Sequence, residues 1–193
     1  MAKLYFRYST MNAGKSIDLI RTNYNYIEND KKTLCFTSAI DNRYGIGKIT
    51  SRIGLSVDAI PVYADTDILE IVKNSNQESD VSCIFVDEVQ FLNKKHIFQL
   101  ADIVDELDIP VICYGLRSDF MLNPFSGSEN LMSLADSIEE IKTICNCCKN
   151  KKAIINAKFL DGKIVSQGEQ IQIGGNDTYK PLCRKCYKKL KNN

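Results

Sequence analysis

Four short apolar runs stand out in the first 114 residues: 4–8 (LYFRY), 33–37 (TLCFT), 83–86 (CIFV) and 110–114 (PVICY). They are rich in Ile, Val, Phe and Tyr and too short for helices, which predicts strands buried on both faces. Between them, residues 16–28 place Ile17, Ile20, Tyr24 and Ile27 at helical spacing. Residues 95–107 repeat the theme with Ile97, Leu100, Ala101 and Val104. Strands alternating with helices specify an α/β fold with a parallel sheet covered on both sides.

Two stretches read differently. Residues 41–56 (DNRYGIGKITSRIGLS) contain three glycines with Arg43, Lys48 and Arg52, and predict a loop or loose hairpin. Beyond residue 141 the chain turns to Cys, Lys and Asn. There the alternation in AIINAKFLDGKIVSQG predicts short antiparallel strands around a turn at Asp161 and Gly162. No internal repeat or low-complexity tract occurs.

Charge sharpens this division. Residues 1–141 carry 13 Lys/Arg and 21 Asp/Glu, whereas 142–193 carry 12 and 3, balances of −8 and +9 within a net +1. Two units with different jobs are expected, 1–141 and 142–193. At 193 residues and 44% hydrophobic content, the chain supports one good core with a small appendage. No apolar run approaches the roughly 18 residues of a membrane span, and nothing resembles a signal peptide, so a cytoplasmic protein without a membrane partner is expected. Eight cysteines in a reducing compartment point to metal before disulfide. His96, the single histidine, removes most histidine-based catalysis.

The first strand runs into STMNAGKS, residues 9–16, and then into a helix. Gly14, Lys15 and Ser16 fit the phosphate-binding pattern G-x-x-x-x-G-K-[ST], with Ser9 in place of the first glycine. The amides between Met11 and Ser16 can cradle phosphates without help from side chains. Lys15 would neutralise the terminal phosphates, and the Ser16 hydroxyl would ligate Mg²⁺. Some 70 residues on, CIFVDEVQF delivers Asp87 from the end of an apolar strand, where a carboxylate can hold the same metal. Order and context together point to a nucleoside triphosphate with Mg²⁺. Glu88, one residue further, can take the proton of an acceptor hydroxyl. It can equally position water in an ATPase, so the acceptor stays open.

Cys145-x-x-Cys148 and Cys183-x-x-Cys186 are separated by 34 residues. Each spacing lets two thiolates converge on one tetrahedral zinc, and two pairs close the site, making the metal structural. Cys147 reads as a bystander, and Cys35, Cys83 and Cys113 as core. A basic ribbon of this kind can also bind nucleic acid. Its aromatics Phe159, Tyr179 and Tyr187 are scattered, which disfavours base stacking, but a nucleic-acid ATPase and a zinc-ribbon binding module remain as rivals.

Seven segments together resemble the zinc-bearing thymidine kinases of bacteria and animal cytosol. They are STMNAGKS, DNRY, VDEVQF, YGLRSDF, CNCC, IGGNDTY and CRKCY, spanning Ser9 to Tyr187 in order. The resemblance implies a P-loop (RecA-like) α/β domain followed by a small zinc-binding lasso domain. It implies transfer of the ATP γ-phosphate to the 5′-hydroxyl of thymidine, and of deoxyuridine, in nucleoside salvage. By carry-over, Ser9, Thr10, Met11, Asn12, Ala13, Gly14, Lys15, Ser16, Asp87 and Gln90 serve ATP, with Ser16 and Asp87 on Mg²⁺ and Glu88 as catalytic base. Phe120 would stack on thymine, with Met11 near its 5-methyl group. Gln170, Ile171, Gln172, Ile173 and Gly174 belong to a substrate-covering loop, and Tyr179 matches a nucleoside contact. Asp41 and Arg43 match a charged pair near the site. The zinc ligands are Cys145, Cys148, Cys183 and Cys186. A homotetramer, feedback inhibition by dTTP and no nucleic-acid partner are also implied.

Overall fold

Uninterrupted apolar runs become strands because each can be covered from both sides. The computed structural model describes residues 1–171 and 178–192. The chain begins with β1 (Leu4–Ser9), α1 (Lys15–Ile27), β2 (Lys32–Ser38), β3 (Lys48–Thr50), β4 (Ser56–Asp58) and β5 (Ile60–Val62). It continues through α2 (Ile68–Glu78), β6 (Val81–Asp87), a 3₁₀ turn (Val89–Phe91), α3 (Lys94–Leu107), β7 (Val111–Leu116) and α4 (Ser126–Leu134). It closes with β8 (Ser137–Glu140), β9 (Ile155–Leu160), β10 (Lys163–Val165), β11 (Tyr179–Leu182) and α5 (Arg184–Lys191).

Six strands form one parallel sheet in the order β5-β2-β6-β7-β1-β8. Alternate residues of each strand supply opposite cores, as a two-residue period requires. Phe6, Phe36, Ile84, Val86, Val111 and Cys113 pack with Ile68, Val72, Ile97, Leu100 and Leu131 of the helices α2, α3 and α4. Cys35, Cys83, Phe85, Ile112 and Tyr114 pack on the other face with Leu19 of α1 and Ile49 of β3. The three strand cysteines are therefore core residues, as expected.

The α/β expectation holds, with more elements than the patterning indicated. The 41–56 stretch contains most of a hairpin, in which Ile49 pairs with Val57. Helix α2 is capped by Asp67, whose side chain accepts the Glu70 N–H. The polar strand β8 gains its place by pairing with β1, not from hydrophobicity. The antiparallel strands expected after residue 141 form a sheet of order β10-β9-β11, turning at Asp161 and Gly162. Its core, with Ile155, Ala157, Leu182 and Tyr187, includes Cys145, Cys183 and Cys186. Among the described residues, no helix is long and apolar enough to cross a membrane.

Candidate active site

The carboxyl ends of the parallel strands deliver the polar groups, as they do where ligands bind in open α/β sheets. Strand β1 ends at Ser9, β6 at Asp87 and β7 at Leu116. A crevice of about 320 Å³ opens there. Its floor is the loop from Met11 to Ser16, and Asp41, Arg43 and Glu88 stand along one wall. Leu116, Phe120, Phe125, Asn156, Gln170, Ile171 and Tyr179 line the far end.

The loop turns into α1 at Gly14, whose φ of 84° lies in the left-handed region that glycine occupies without strain. Lys15 is buried and donates from Nζ to Ser9 Oγ at 3.0 Å and to the Thr10 carbonyl at 3.2 Å. Ser9 also donates to that carbonyl at 2.7 Å, so the serine in the first-glycine position is part of the lysine's nest. Ser16 Oγ donates to Asp87 Oδ2 at 2.9 Å. Burial, and next the adjacent Glu88, push the Asp87 carboxyl up to about 7. Burial likewise pulls Lys15 below its ordinary value, against the attraction of Glu88 and Asp87. A buried carboxylate beside a serine hydroxyl is a donor set suited to Mg²⁺.

Glu88 departs from its neighbour's direction because its φ is 51°, a left-handed conformation uncommon outside glycine. Asp87 thus faces Ser16 while Glu88 lines the crevice. Arg43 donates to Glu88 Oε1 at 2.8 Å and clasps Asp41 through two bonds of 2.7 and 2.6 Å. The bonds to Asp41 are the first cause that keeps this guanidinium firmly charged. Gln90 lies behind the wall, bonded to Glu88 Oε2 and to the Leu116 N–H.

Phe120 is buried, with the Lys158 ammonium 4.7 Å from its ring centre and the Tyr179 ring 6.4 Å away. Gln170 Nε2 donates to the Pro124 carbonyl at 3.1 Å, bringing Gln170 and Ile171 to the rim. Gln172, Ile173 and Gly174 lie outside the described residues. Patterning missed Asn156, whose Oδ1 accepts the Met11 N–H at 2.8 Å and ties the loop before α1 to β9. The lone amide in the apolar stretch AIINA was its signal. Phe91 and Phe125, edge to face at 5.8 Å, were also missed, as were Thr50 and Ser51 of the hairpin, whereas Arg52, noted in the sequence only as a basic residue of that stretch, also lines the crevice.

The four paired cysteines converge although 34 residues separate the pairs. Their sulfurs all lie within 4.8 Å of one another, with Cys148 and Cys183 3.9 Å apart. Four sulfurs bonded at about 2.3 Å to one tetrahedral zinc would be about 3.8 Å apart, so the cluster fits that ion. The backbone N–H groups of Asn150 and Lys151 hold the Cys148 thiol down to about 6. Contact with Cys183 first, and then burial and contact with the other thiols, push Cys186 up. Strand β11 runs from Tyr179 at the crevice to Leu182, next to Cys183 of the cluster, linking the two.

A family model described as "Thymidine kinase" matches residues 2–187. The thymidine kinase of Lactiplantibacillus plantarum is 53% identical over 187 residues, covering 97% of this chain and 96% of the relative. That of Haemophilus influenzae is 50% identical over 188 residues, with 97% of each chain covered. That of Pasteurella multocida is 51% identical over 189 residues, again with 97% of each covered. Among solved structures, the Pif1 helicase of Candida albicans shares 14% identity at a TM-score of 0.45, over 74% of this chain and 36% of that one.

Proposed function

This chain belongs to the thymidine kinase family and is an enzyme of that family, and we propose that the crevice is where ATP and thymidine meet. The γ-phosphoryl group passes to the 5′-hydroxyl: the new O5′–P bond forms, the bond from Pγ to the β-phosphate bridging oxygen breaks, and ADP leaves with that electron pair. Glu88 accepts the hydroxyl proton. The loop amides between Met11, whose own N–H is held by Asn156, and Ser16 hold the phosphates together with the Lys15 ammonium. Ser16 and Asp87 would hold Mg²⁺, which neutralises charge on the β- and γ-phosphate oxygens when bound.

Phe120 offers a flat apolar face to the pyrimidine, with Met11 beside it and Tyr179, Gln170 and Ile171 around it. Zinc on Cys145, Cys148, Cys183 and Cys186 would be structural, setting the position of β11 and hence of Tyr179. The same proposal includes 1–141 as the kinase domain and 142–193 as the zinc-binding lasso. It also includes deoxyuridine as a second substrate, a cytoplasmic homotetramer, and inhibition by dTTP.

The observation that carries this reading is the divergence of Asp87 and Glu88 from one strand end, the first toward the phosphate loop and the second into the crevice shared with Phe120. An ATPase that positions water needs no such aromatic pocket. The test is incubation with labelled ATP, Mg²⁺ and each nucleoside in turn. Labelled thymidine monophosphate supports the assignment. Label released as inorganic phosphate, with no nucleoside product, overturns it.

A further inference from the structure

We propose that Gln90 is a positioning residue that aims the Glu88 carboxylate, a role distinct from the ATP contact that the family resemblance implies. The proposal rests on the reading of Glu88 as the base. Gln90 is 2% exposed and sits in the turn Val89–Phe91, behind the residues that line the crevice. Both ends of its amide are engaged. Nε2 donates to Glu88 Oε2 at 2.5 Å, and Oε1 accepts the Leu116 N–H at 3.0 Å. A backbone N–H can only donate, so Leu116 pins the amide oxygen and leaves the NH₂ group for the carboxylate. The other Glu88 oxygen takes Arg43 at 2.8 Å. One donor on each oxygen sets the plane of the carboxylate, and each oxygen retains a lone pair for an incoming hydroxyl.

The seat of this amide is built by other elements. A Cβ on Gly115 of β7 would stand 2.7 Å from Gln90 Oε1 and 2.8 Å from Val89 Cγ1. A Cβ on Gly127 of α4 would stand 2.2 Å from the Val89 carbonyl oxygen. Glycine at both positions lets a strand and a helix close directly onto the turn. Leu116, which pins the amide, is itself held from the other side, because Ser128 donates to its carbonyl at 2.5 Å. A proton acceptor must sit within hydrogen-bond reach of its donor, and Glu88 has an uncommon backbone conformation to maintain. The fold supplies a buried, one-way brace for that purpose.

The test is Gln90→Glu, which keeps an acceptor for Leu116 and exchanges the donor for a second carboxylate oxygen. We expect kcat to fall about 10-fold or more, a loss of the order produced by a sub-ångström to 1 Å misplacement. KM for thymidine and for MgATP should stay within about twofold, because neither substrate loses a contact. In the Glu88→Gln background the same change should cost little further, since the two residues act as one unit. Gly115→Ala, which presses on the amide from β7, should reproduce the kcat loss and serves in place of Gln90→Glu should that variant not fold. An unchanged kcat overturns the proposal. So does a raised KM for ATP with kcat intact, which would make Gln90 a nucleotide contact. An equal loss in both backgrounds overturns it as well, by showing damage that does not pass through Glu88. A fully active Glu88→Gln enzyme defeats the base reading and this proposal together, whereas an inactive one beside an unimpaired Gln90→Glu defeats the positioning role alone.

Discussion

Ser16 Oγ donates to Asp87 Oδ2 across 2.9 Å, although 71 residues separate them in the chain. The contact joins the loop between β1 and α1 to the end of the strand that delivers the carboxylates. It also buries an acid, which has a measurable consequence.

With its carboxyl pushed up to about 7, Asp87 keeps a proton in the folded chain that an unfolded chain sheds near pH 3.9. Between those values the native state binds more protons, so stability falls as pH rises from about 4 to about 7. The contribution is fully present at the acid end and lost above the folded value. In buffer without Mg²⁺ or nucleotide, Asp87→Asn should flatten this slope and melt higher than the parent at pH 8. Melting curves from pH 5 to 8 measure it, and parallel curves for the two proteins would refute the prediction.

On the proposed role of Glu88 as proton acceptor, Glu88→Gln should leave thymidine binding close to its original value while kcat drops by about 10²-fold or more. Calorimetric binding beside steady-state rates separates the two effects. Full activity in this variant removes Glu88 from the chemistry.

Phe120→Leu retains bulk at a buried position and deletes the aromatic face. Stacking contributes about 0.5–1.5 kcal/mol beyond area, so KM for thymidine should rise by about two- to twelvefold, with KM for ATP little changed. An unaltered thymidine KM means the ring is core packing and not a platform.

Asn156→Leu leaves the Met11 N–H without its acceptor. An unpaired buried donor costs about 1–3 kcal/mol, and this half-buried one lies toward the lower end. Because Met11 begins the loop, the loss should appear both as a lower melting temperature and as weaker binding of ATP and thymidine. Unchanged binding would confine Asn156 to a structural role.

Replacing Cys183 and Cys186 together by Ser should abolish the zinc content of purified protein and lower its melting temperature. KM for thymidine should also rise, since β11 begins at Tyr179 in the crevice and ends beside the cluster. A metal content equal to that of the parent contradicts the assignment of these sulfurs as ligands.

Much of the site was legible because its signals are short. Gly14, Lys15 and Ser16 follow one strand within a few residues, Asp87 and Glu88 end another, and each cysteine pair spans one turn. The less visible parts depend on distant partners. Asn156 matters through Met11, 145 residues away, and nothing in its own neighbourhood names that partner. Gln90 looks like one more polar residue in VDEVQF until the Leu116 N–H and Glu88 appear on its two ends. Helix α2 did carry readable marks, with Asp67 as cap and Ile68 and Val72 four apart. Strand β8, SIEE, carried almost none, since its place comes from backbone pairing with β1.

The sequence by itself determined the alternation of strands and helices, the phosphate loop, the two successive acids and the two cysteine pairs. These follow from local periodicity and from chemistry that requires fixed spacing along the chain. Tertiary structure alone decided the order β5-β2-β6-β7-β1-β8, the different partners of Asp87 and Glu88, the bridge through Gln90, and the meeting of Asn156 with Met11. The physical reason is that strand register and side-chain convergence arise from hydrogen bonds and packing between segments far apart in the chain, which short-range patterns do not encode.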